Sequence, residues 1–332
     1  MIEEEIRDRE YLEDSAGSIM TTDYVSLKSD MTVSEAIDHI QEIANFIENI
    51  YTCYVVNDDG QLIGIVTAKD ILLADPNSKI SDIMESNVIY AHTGEDQESL
   101  MNNLMRYGFL AMPIVDDDNR LVGIFPFDDA FVVQEEETTE DFEKMAAVTP
   151  SEETYLQTSV FKLSMHRIPW LFILMCLASL TGILVESFES SLAVLPALVA
   201  FAPMLMNTGG NAGTQSSTLI IRGMALDEIE LKDILKVLWK ELLVSLSCGL
   251  VLMVTTFISV LIFGEGVAMA ITVCIALLAT IIMSNLVGAF LTFLAKIVKV
   301  DPAIMAAPLL TNIIDAGCLV VYFVLAKIIL GI

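Results

Sequence analysis

One carboxylate stands where its surroundings should forbid it. Asp315 lies within residues 303–330, an otherwise almost wholly apolar run. An ionised group at membrane depth is costly unless it faces a water-filled cavity or a partner. Thr311 lies one helical turn before it on the same face, and Asn312 follows. Pro308, inside the segment, is expected to free a backbone carbonyl. Carbonyl, amide and carboxylate oxygens together suit a hard cation. Mg2+ suits them best, because it sheds water reluctantly and is held through few direct carboxylates. The alternative is an aspartate buried against helix amides.

A second polar feature interrupts an earlier apolar run. From Phe201 the chain reads FAPMLMNTGGNAGTQSSTLIIR, so Asn207, Asn211, Gln215 and five hydroxyl residues arrive among Gly209, Gly210 and Gly213. Unpaired polar groups are not tolerated in hydrocarbon, so this stretch must face protein or water. The glycines predict a helix that breaks or thins, turning carbonyls inward. The stretch then supplies neutral oxygens and Asp315 the charge. One chain offers one wall of such a path, which is a reason to expect a second chain opposite.

The elements that position these residues follow from composition. The chain has 332 residues, 54% hydrophobic, with formal net charge −28. Residues 1–167 hold 35 Asp+Glu against 10 Lys+Arg, and residues 168–332 hold 10 against 7. An acidic, water-soluble half therefore precedes an apolar half. The acidic half would repel nucleic acid. It either attracts divalent cations or serves only solubility. Five cysteines, with no CxxC and four in apolar runs, give neither a disulfide framework nor a zinc site. The opening MIEEEIRDRE is acidic, unlike a signal peptide. No nucleophile–base pair suggests an enzyme.

Residues 1–20 read as the end of a polar helix. Residues 21–135 contain a repeat: YVVNDDGQLIGIVTAKDIL from Tyr54 matches PIVDDDNRLVGIFPFDDAF from Pro113, with Gly64 and Gly123, and Asp70 and Asp129, each 59 apart. Acidic turns between apolar strands predict hairpins. Thr32 and Glu35 predict a capping box opening a helix at Val33. The halves are expected to pack as a pseudo-dimer. Residues 136–167 read as an acidic linker, with Glu135–Glu137 in a loop, and then a connecting helix opened by Thr149 and Pro150.

Five apolar segments follow, at 168–185, 192–222, 242–263, 267–295 and 303–330, each near the length needed to cross a bilayer. Basic residues gather in alternate loops: Lys162 and Arg167; Arg222, Lys232, Lys236 and Lys240; Lys296 and Lys299. This predicts a cytoplasmic N-terminal half and an extracytoplasmic C-terminus, with Lys327 snorkelling. The stripe Leu231, Ile234, Leu235, Leu238 and Trp239 predicts a short helix along the inner membrane interface.

The repeat resembles a CBS-domain pair through Gly64, Thr67 and Asp70, the G-h-h-T-x-x-D pattern. That resemblance implies ATP or another adenine nucleotide held by Thr67 and Asp70; alternatively, Asp70 only caps the following helix. The second copy departs from the pattern, with Pro126 where Thr67 stands.

PMLMNTGGNAGTQSSTLIIRGMA and DPAIMAAPLLTNIIDAG closely resemble the MgtE magnesium channels, and the order of parts matches as well. The implied fold is multidomain: a cytosolic α/β tandem CBS pair, a long connecting helix and an all-α transmembrane domain of five helices. The resemblance implies a homodimer in the plasma membrane of a prokaryote, with a central Mg2+ pore built from the second and fifth helices. Asp315 would hold hydrated Mg2+, aided by backbone and polar groups at Thr311, Ala307, Gly210 and Asn211. It also implies Asp301, Glu152 and Glu153 as regulatory Mg2+ ligands that help shut the pore. Each has a local alternative: Glu152 completes a capping box, and Asp301 caps a helix before Pro302. Most members carry a further N-terminal helical domain, of which only the last helix, Arg9 to Met20, is expected here. Gating by internal Mg2+ should then be weaker. Competing functions are a secondary transporter exchanging a divalent ion for Na+ or H+, and a nucleotide-sensing membrane protein that transports nothing.

Overall fold

Two copies of one βαββα pattern open the chain and repeat their details 59 residues apart. The computed structural model describes residues 11–47, 49–151, 154–188, 197–305 and 307–331. The helix expected from Arg9 to Met20 is corrected: within the described residues 11–20 only a single turn, α1 (Ala16–Ile19), is helical, and it precedes the first sheet. That sheet is β1 (Val25–Lys28), β2 (Thr52–Val56) and β3 (Leu62–Thr67). The second is β4 (Ala91–His92), β5 (Ala111–Val115) and β6 (Leu121–Pro126). In each sheet the first pairing is parallel and the second antiparallel. The hairpin register slips at Val55/Val56 in one and at Ile114/Val115 in the other.

The turns are held by the residue just before each acidic pair. Asn57 Oδ1 accepts from the amides of Asp59 and Gln61, and Asp116 Oδ1 accepts from those of Asp118 and Arg120. Gly60 and Asn119 take the left-handed backbone these turns need. The two hairpins then bond to each other, Leu62 N to Asn119 O and Leu121 N to Gly60 O. Tyr54, Ala111, Leu121 and Ile124 fill the seam between the copies.

Helices follow the caps. Thr32 and Glu35 form the capping box of α2 (Val33–Ile43). Thr67 caps α3 (Ala68–Leu73), a short α4 (Ile80–Ile83) follows, and Asp96 caps α5 (Gln97–Tyr107). α6 (Phe127–Met145) then leaves the second sheet as one helix. The expected loop at Glu135–Glu137 is therefore corrected: these residues are good helix formers and continue the helix.

The expected connecting helix from Thr149 is also corrected. Thr149 and Pro150 are extended, and the Thr149 amide donates to His166 O at 3.1 Å. The Ser151 amide takes Glu143 Oε2 at 2.9 Å. Glu152 and Glu153 lie outside the described residues. The helix that follows is α7 (Val160–Ser187), capped by Ser159 and continuous with the expected first span.

The remaining helices are α8 (Ala197–Ala225), α9 (Ile234–Ile262), α10 (Gly266–Ile297) and α11 (Ala307–Leu330). Short 3-10 turns at Leu231–Asp233 and Pro302–Met305 precede α9 and α11. Among the described residues four stretches, 160–187, 231–262, 266–297 and 302–330, are long and apolar enough to cross a membrane. α8 is comparably long but carries the polar stretch. The separate interfacial helix expected near Leu235 does not form: residues 234–241 are the first turns of α9, and Ile234, Val237 and Leu238 pack on Ile220, Met224, Ala289 and Phe293.

The core of the helical unit is the meeting of α8, α10 and α11. Leu198, Phe201 and Leu205 of α8 pack against Val273, Leu277 and Ile281 of α10 and Leu319, Tyr322 and Phe323 of α11. The Tyr322 hydroxyl donates to Leu198 O at 3.1 Å, which satisfies a phenol in an otherwise apolar layer.

Candidate functional site

The polar stretch does not break its helix. α8 runs unbroken from residue 197 to 225, so the expected kink is corrected. The glycines serve packing instead. A methyl group on Gly209 would lie 2.6 Å from Cys318 Sγ and 2.8 Å from Thr280 Cγ2. One on Gly210 would lie 3.0 Å from Thr311 Cγ2, and one on Gly213 would lie 3.0 Å from Ser284 O. The α8 backbone thus lies against side chains of α10 and α11, and against the α10 backbone at Ser284, more closely than a larger residue allows. Gly288 makes the same approach from α10, where an added methyl would lie 2.5 Å from Gly213 O.

The stretch divides by helical periodicity. Gly209, Gly210, Gly213, Ser216 and Ser217 face inward and are buried. Asn207, Asn211 and Gln215, at spacings of four, are exposed along the opposite stripe. Asn211 Nδ2 reaches Asn207 Oδ1 at 3.4 Å, so the amides partly satisfy each other along the helix.

Asp315 is half-buried on α11, and one of its carboxylate oxygens is enclosed with no hydrogen-bond partner. Thr311 Oγ1 donates to Ala307 O at 2.6 Å, and Asn312 Nδ2 donates to Pro308 O at 2.9 Å. The expected role of Pro308 is corrected. It sits in the first turn of α11, where its missing N–H would have no helical acceptor in any case.

Of the sequence-derived set, Gly210, Thr311 and Ala307 are brought together. Asp315 lies one turn further along α11, and Asn211 is on the exposed face of α8. Among the described residues no three His, Cys, Asp or Glu side chains converge as a direct metal cage. A lone carboxylate among neutral oxygens fits a cation that keeps its water.

Thr67 and Asp70 are taken up with each other. The Asp70 carboxylate accepts from the Thr67 amide and hydroxyl, and the Asp70 amide donates to Thr67 Oγ1 at 3.2 Å. This is the helix cap, and Asp70 remains exposed at the end of β3.

Asp301 caps the turn before α11, accepting from the Ala303 amide at 2.8 Å. Its other oxygen takes the Lys144 ammonium at 2.7 Å, and Lys144 also donates to Glu140 at 2.6 Å. Sequence reasoning missed Lys144, because nothing in a chain separation of 157 residues signals the pairing. Burial opposes the Lys144 charge, but its bonds to Asp301 and Glu140 more than offset this and raise its pKa. Asp141 alongside is held above the usual carboxylate range, first by burial and then by the Asp301 charge.

A family described as "Divalent cation transporter" matches residues 202–325, and the CBS-domain family matches residues 16–77 and 80–136. The chain is 37% identical over 322 residues to magnesium transporter MgtE of Thermus thermophilus, covering 96% of this chain and 71% of that one. It is 34% identical over 316 residues to magnesium transporter MgtE of Bacillus subtilis, covering 95% and 70%. Among solved structures it is similar to the cytosolic domain of the Mg2+ channel MgtE in complex with ATP, at 39% identity and a TM-score of 0.37, covering 37% of this chain and 50% of that one. With its CBS pair, its apolar helices and this identity along nearly its whole length, the chain belongs to the MgtE family of divalent cation transporters.

Proposed function

We propose that this protein admits Mg2+ passively through the plasma membrane of a prokaryote, as a homodimer whose path is lined by α8 and α11 of each copy. The N-terminal half then lies in the cytoplasm and the C-terminus outside. The observation that carries this reading is the placement of Asp315: a lone carboxylate on an apolar spanning helix, with one oxygen enclosed and unpaired. A fixed negative charge there attracts a divalent cation, and the neutral oxygens around Thr311 can accept hydrogen bonds from its water shell. The exposed amides Asn207, Asn211 and Gln215 supply the reason for a second copy, because this stripe cannot face lipid.

Flux into liposomes holding the full chain tests the reading. Mg2+ entry should follow the membrane potential, ignore Na+ and pH gradients, and be lost in Asp315→Ala. Undiminished flux in that variant would remove the pore site. Dependence on a Na+ or H+ gradient would make the protein an exchanger. Mn2+, Co2+ and Ca2+ run in parallel define its selectivity.

The acidic cytosolic half is assigned the regulatory part, with Asp301, Glu152 and Glu153 as candidate Mg2+ ligands. The Lys144–Asp301 bridge supports a role for Asp301, because it ties the end of α6 to the segment that leads into α11. Thr67 and Asp70 are assigned to an adenine nucleotide. Supporting this, a related cytosolic domain is known in complex with ATP, and Asp70 is exposed here.

A further inference from the structure

α10 does not belong to the proposed path, yet it carries a line of polar side chains into the driest part of the bundle. Thr280 and Ser284 are fully buried, and Asn285 is 6% exposed. Among the described residues, the Thr280 and Ser284 hydroxyls and the Asn285 side-chain oxygen have no hydrogen-bond partner, and neither does the enclosed oxygen of Asp315. Other buried hydroxyls of these helices behave differently. Thr272, Thr292 and Ser245 each donate to a carbonyl one turn back on their own helix, and Ser216 donates across to Asn285 O. The pattern is therefore local to one level of the bundle.

That level is defined by contacts. The position of a methyl group on Gly209 is met at once by Cys318 Sγ at 2.6 Å, Thr280 Cγ2 at 2.8 Å and Ser284 Oγ at 3.0 Å. Cys318 lies three residues beyond Asp315, on the same face of α11. Its thiol meets the Thr280 and Ser284 side chains at the Gly209 position. Thr280 and Ser284 of α10 thus meet Cys318 across Gly209, one turn along α11 from Asp315. Leaving each unpaired would carry the full cost of stripping a polar group of water. Groups of this kind are ordinarily joined by enclosed water, each molecule making about three hydrogen bonds.

We propose that Thr280 and Ser284 form a polar bracket behind Asp315 which, through enclosed water, fixes its carboxylate for the passing cation. These are positioning residues: they act on Mg2+ through Asp315 and do not touch it. The proposal rests on the reading of Asp315 as the ion-holding group. It makes α10 a determinant of cation affinity although α10 lines no part of the path.

Paired substitutions separate this role from packing. Thr280→Val keeps the shape and removes the hydroxyl, whereas Thr280→Ser keeps the hydroxyl and removes the methyl. With full-length protein in liposomes, Thr280→Val should raise the half-saturating Mg2+ concentration about tenfold, the usual scale for losing a group that supports a ligand. The maximal flux and the melting temperature should stay close to those of the parent. Thr280→Ser should transport like the parent. Ser284→Ala should reproduce Thr280→Val, and Ser284→Cys should recover part of the affinity. The opposite order, with Thr280→Ser impaired and Thr280→Val normal, would assign the residue to packing and overturn the proposal. So would parental affinity in both Thr280→Val and Ser284→Ala. Asp315→Ala in the same assay keeps the two readings apart. If it abolishes flux while the α10 variants are normal, the bracket fails and the pore site stands. If it leaves flux intact, the pore site itself has failed.

Discussion

Lys144→Met removes one charge and keeps the apolar stem, and its consequences can be worked from two distances. The ammonium donates to Glu140 at 2.6 Å and to Asp301 at 2.7 Å, with the Lys144 side chain 20% exposed and that of Asp301 32% exposed. Enclosed hydrogen bonds to charged groups contribute about 1.5–3 kcal/mol each, and fully exposed ion pairs about 0–1 kcal/mol. Both carboxylates stand near one-third exposure, which discounts the pair to about 2 kcal/mol in total. The loss is not relieved elsewhere, because Glu140, Asp141 and Asp301 are left facing one another. For a unit of this size that corresponds to a fall in melting temperature of about 4–8 °C, read on the full chain in detergent.

The same variant probes regulation. Lys144 occupies one Asp301 oxygen and the Ala303 amide the other, so any cytosolic cation that uses Asp301 must first displace the ammonium. The Asp301 share of that loss, about 1 kcal/mol, no longer opposes the cation, so the Mg2+ needed to shut the pore falls about 5-fold, at about 1.4 kcal/mol per decade. Currents from excised patches, with internal Mg2+ varied, measure this directly. A lower melting temperature with an unchanged inhibitory Mg2+ concentration would show that Asp301 is structural and not a ligand. A melting temperature within a degree of the parent would refute the energetic estimate itself.

Gly288→Ala places a methyl 2.5 Å from the Gly213 carbonyl, and a backbone atom cannot swing aside. The crossing of α8 and α10 should open at a cost of about 1–3 kcal/mol, with impaired Mg2+ flux; a variant that melts and transports like the parent would show that the crossing is loose. Asp141→Asn should be more stable than the parent at neutral pH. The raised pKa of Asp141 means that its stabilising, protonated form is lost as pH rises, so at neutral pH the charge is a penalty. The two melting curves should converge once the pH falls below the ordinary aspartate value of 3.8, and equal melting temperatures at pH 7 would show that no penalty exists. Asp70→Ala should weaken ATP binding to the full chain in calorimetry while costing only the helix cap, about 1 kcal/mol; unchanged ATP affinity would leave Asp70 as a cap alone.

What the sequence carried most clearly was information of short range or strict period. The 59-residue repeat, the Thr32–Glu35 box and the spanning lengths each depend on residues a turn or a hairpin apart, and the folded chain has them. Membership of the family was legible for a similar reason, because its two membrane motifs are contiguous. The errors share another cause. The glycines of α8 were read as breakers because glycine frees the local backbone, but here the missing side chains are filled by Cys318, Thr280, Thr311 and Ser284 from other helices. Tertiary contact thus decided what local freedom left open. The same holds for Glu135–Glu137, which acidity suggested as a loop and which helix propensity carries through α6.

The α10 polar residues show the limit from the opposite side. Thr280, Ser284, Gly288 and Thr292 repeat at spacings of four, so the sequence did mark a small, polar stripe along an apolar span. What it could not show was that the stripe faces Gly209 and Gly213, nor that its hydroxyls meet Cys318, one turn along α11 from Asp315. The path and its support therefore differ in how they are written. Residues that meet the cation must be polar in a lipid-spanning helix and stand out in the sequence. Residues that hold them in place need only be small and weakly polar, and they become visible once the helices are packed.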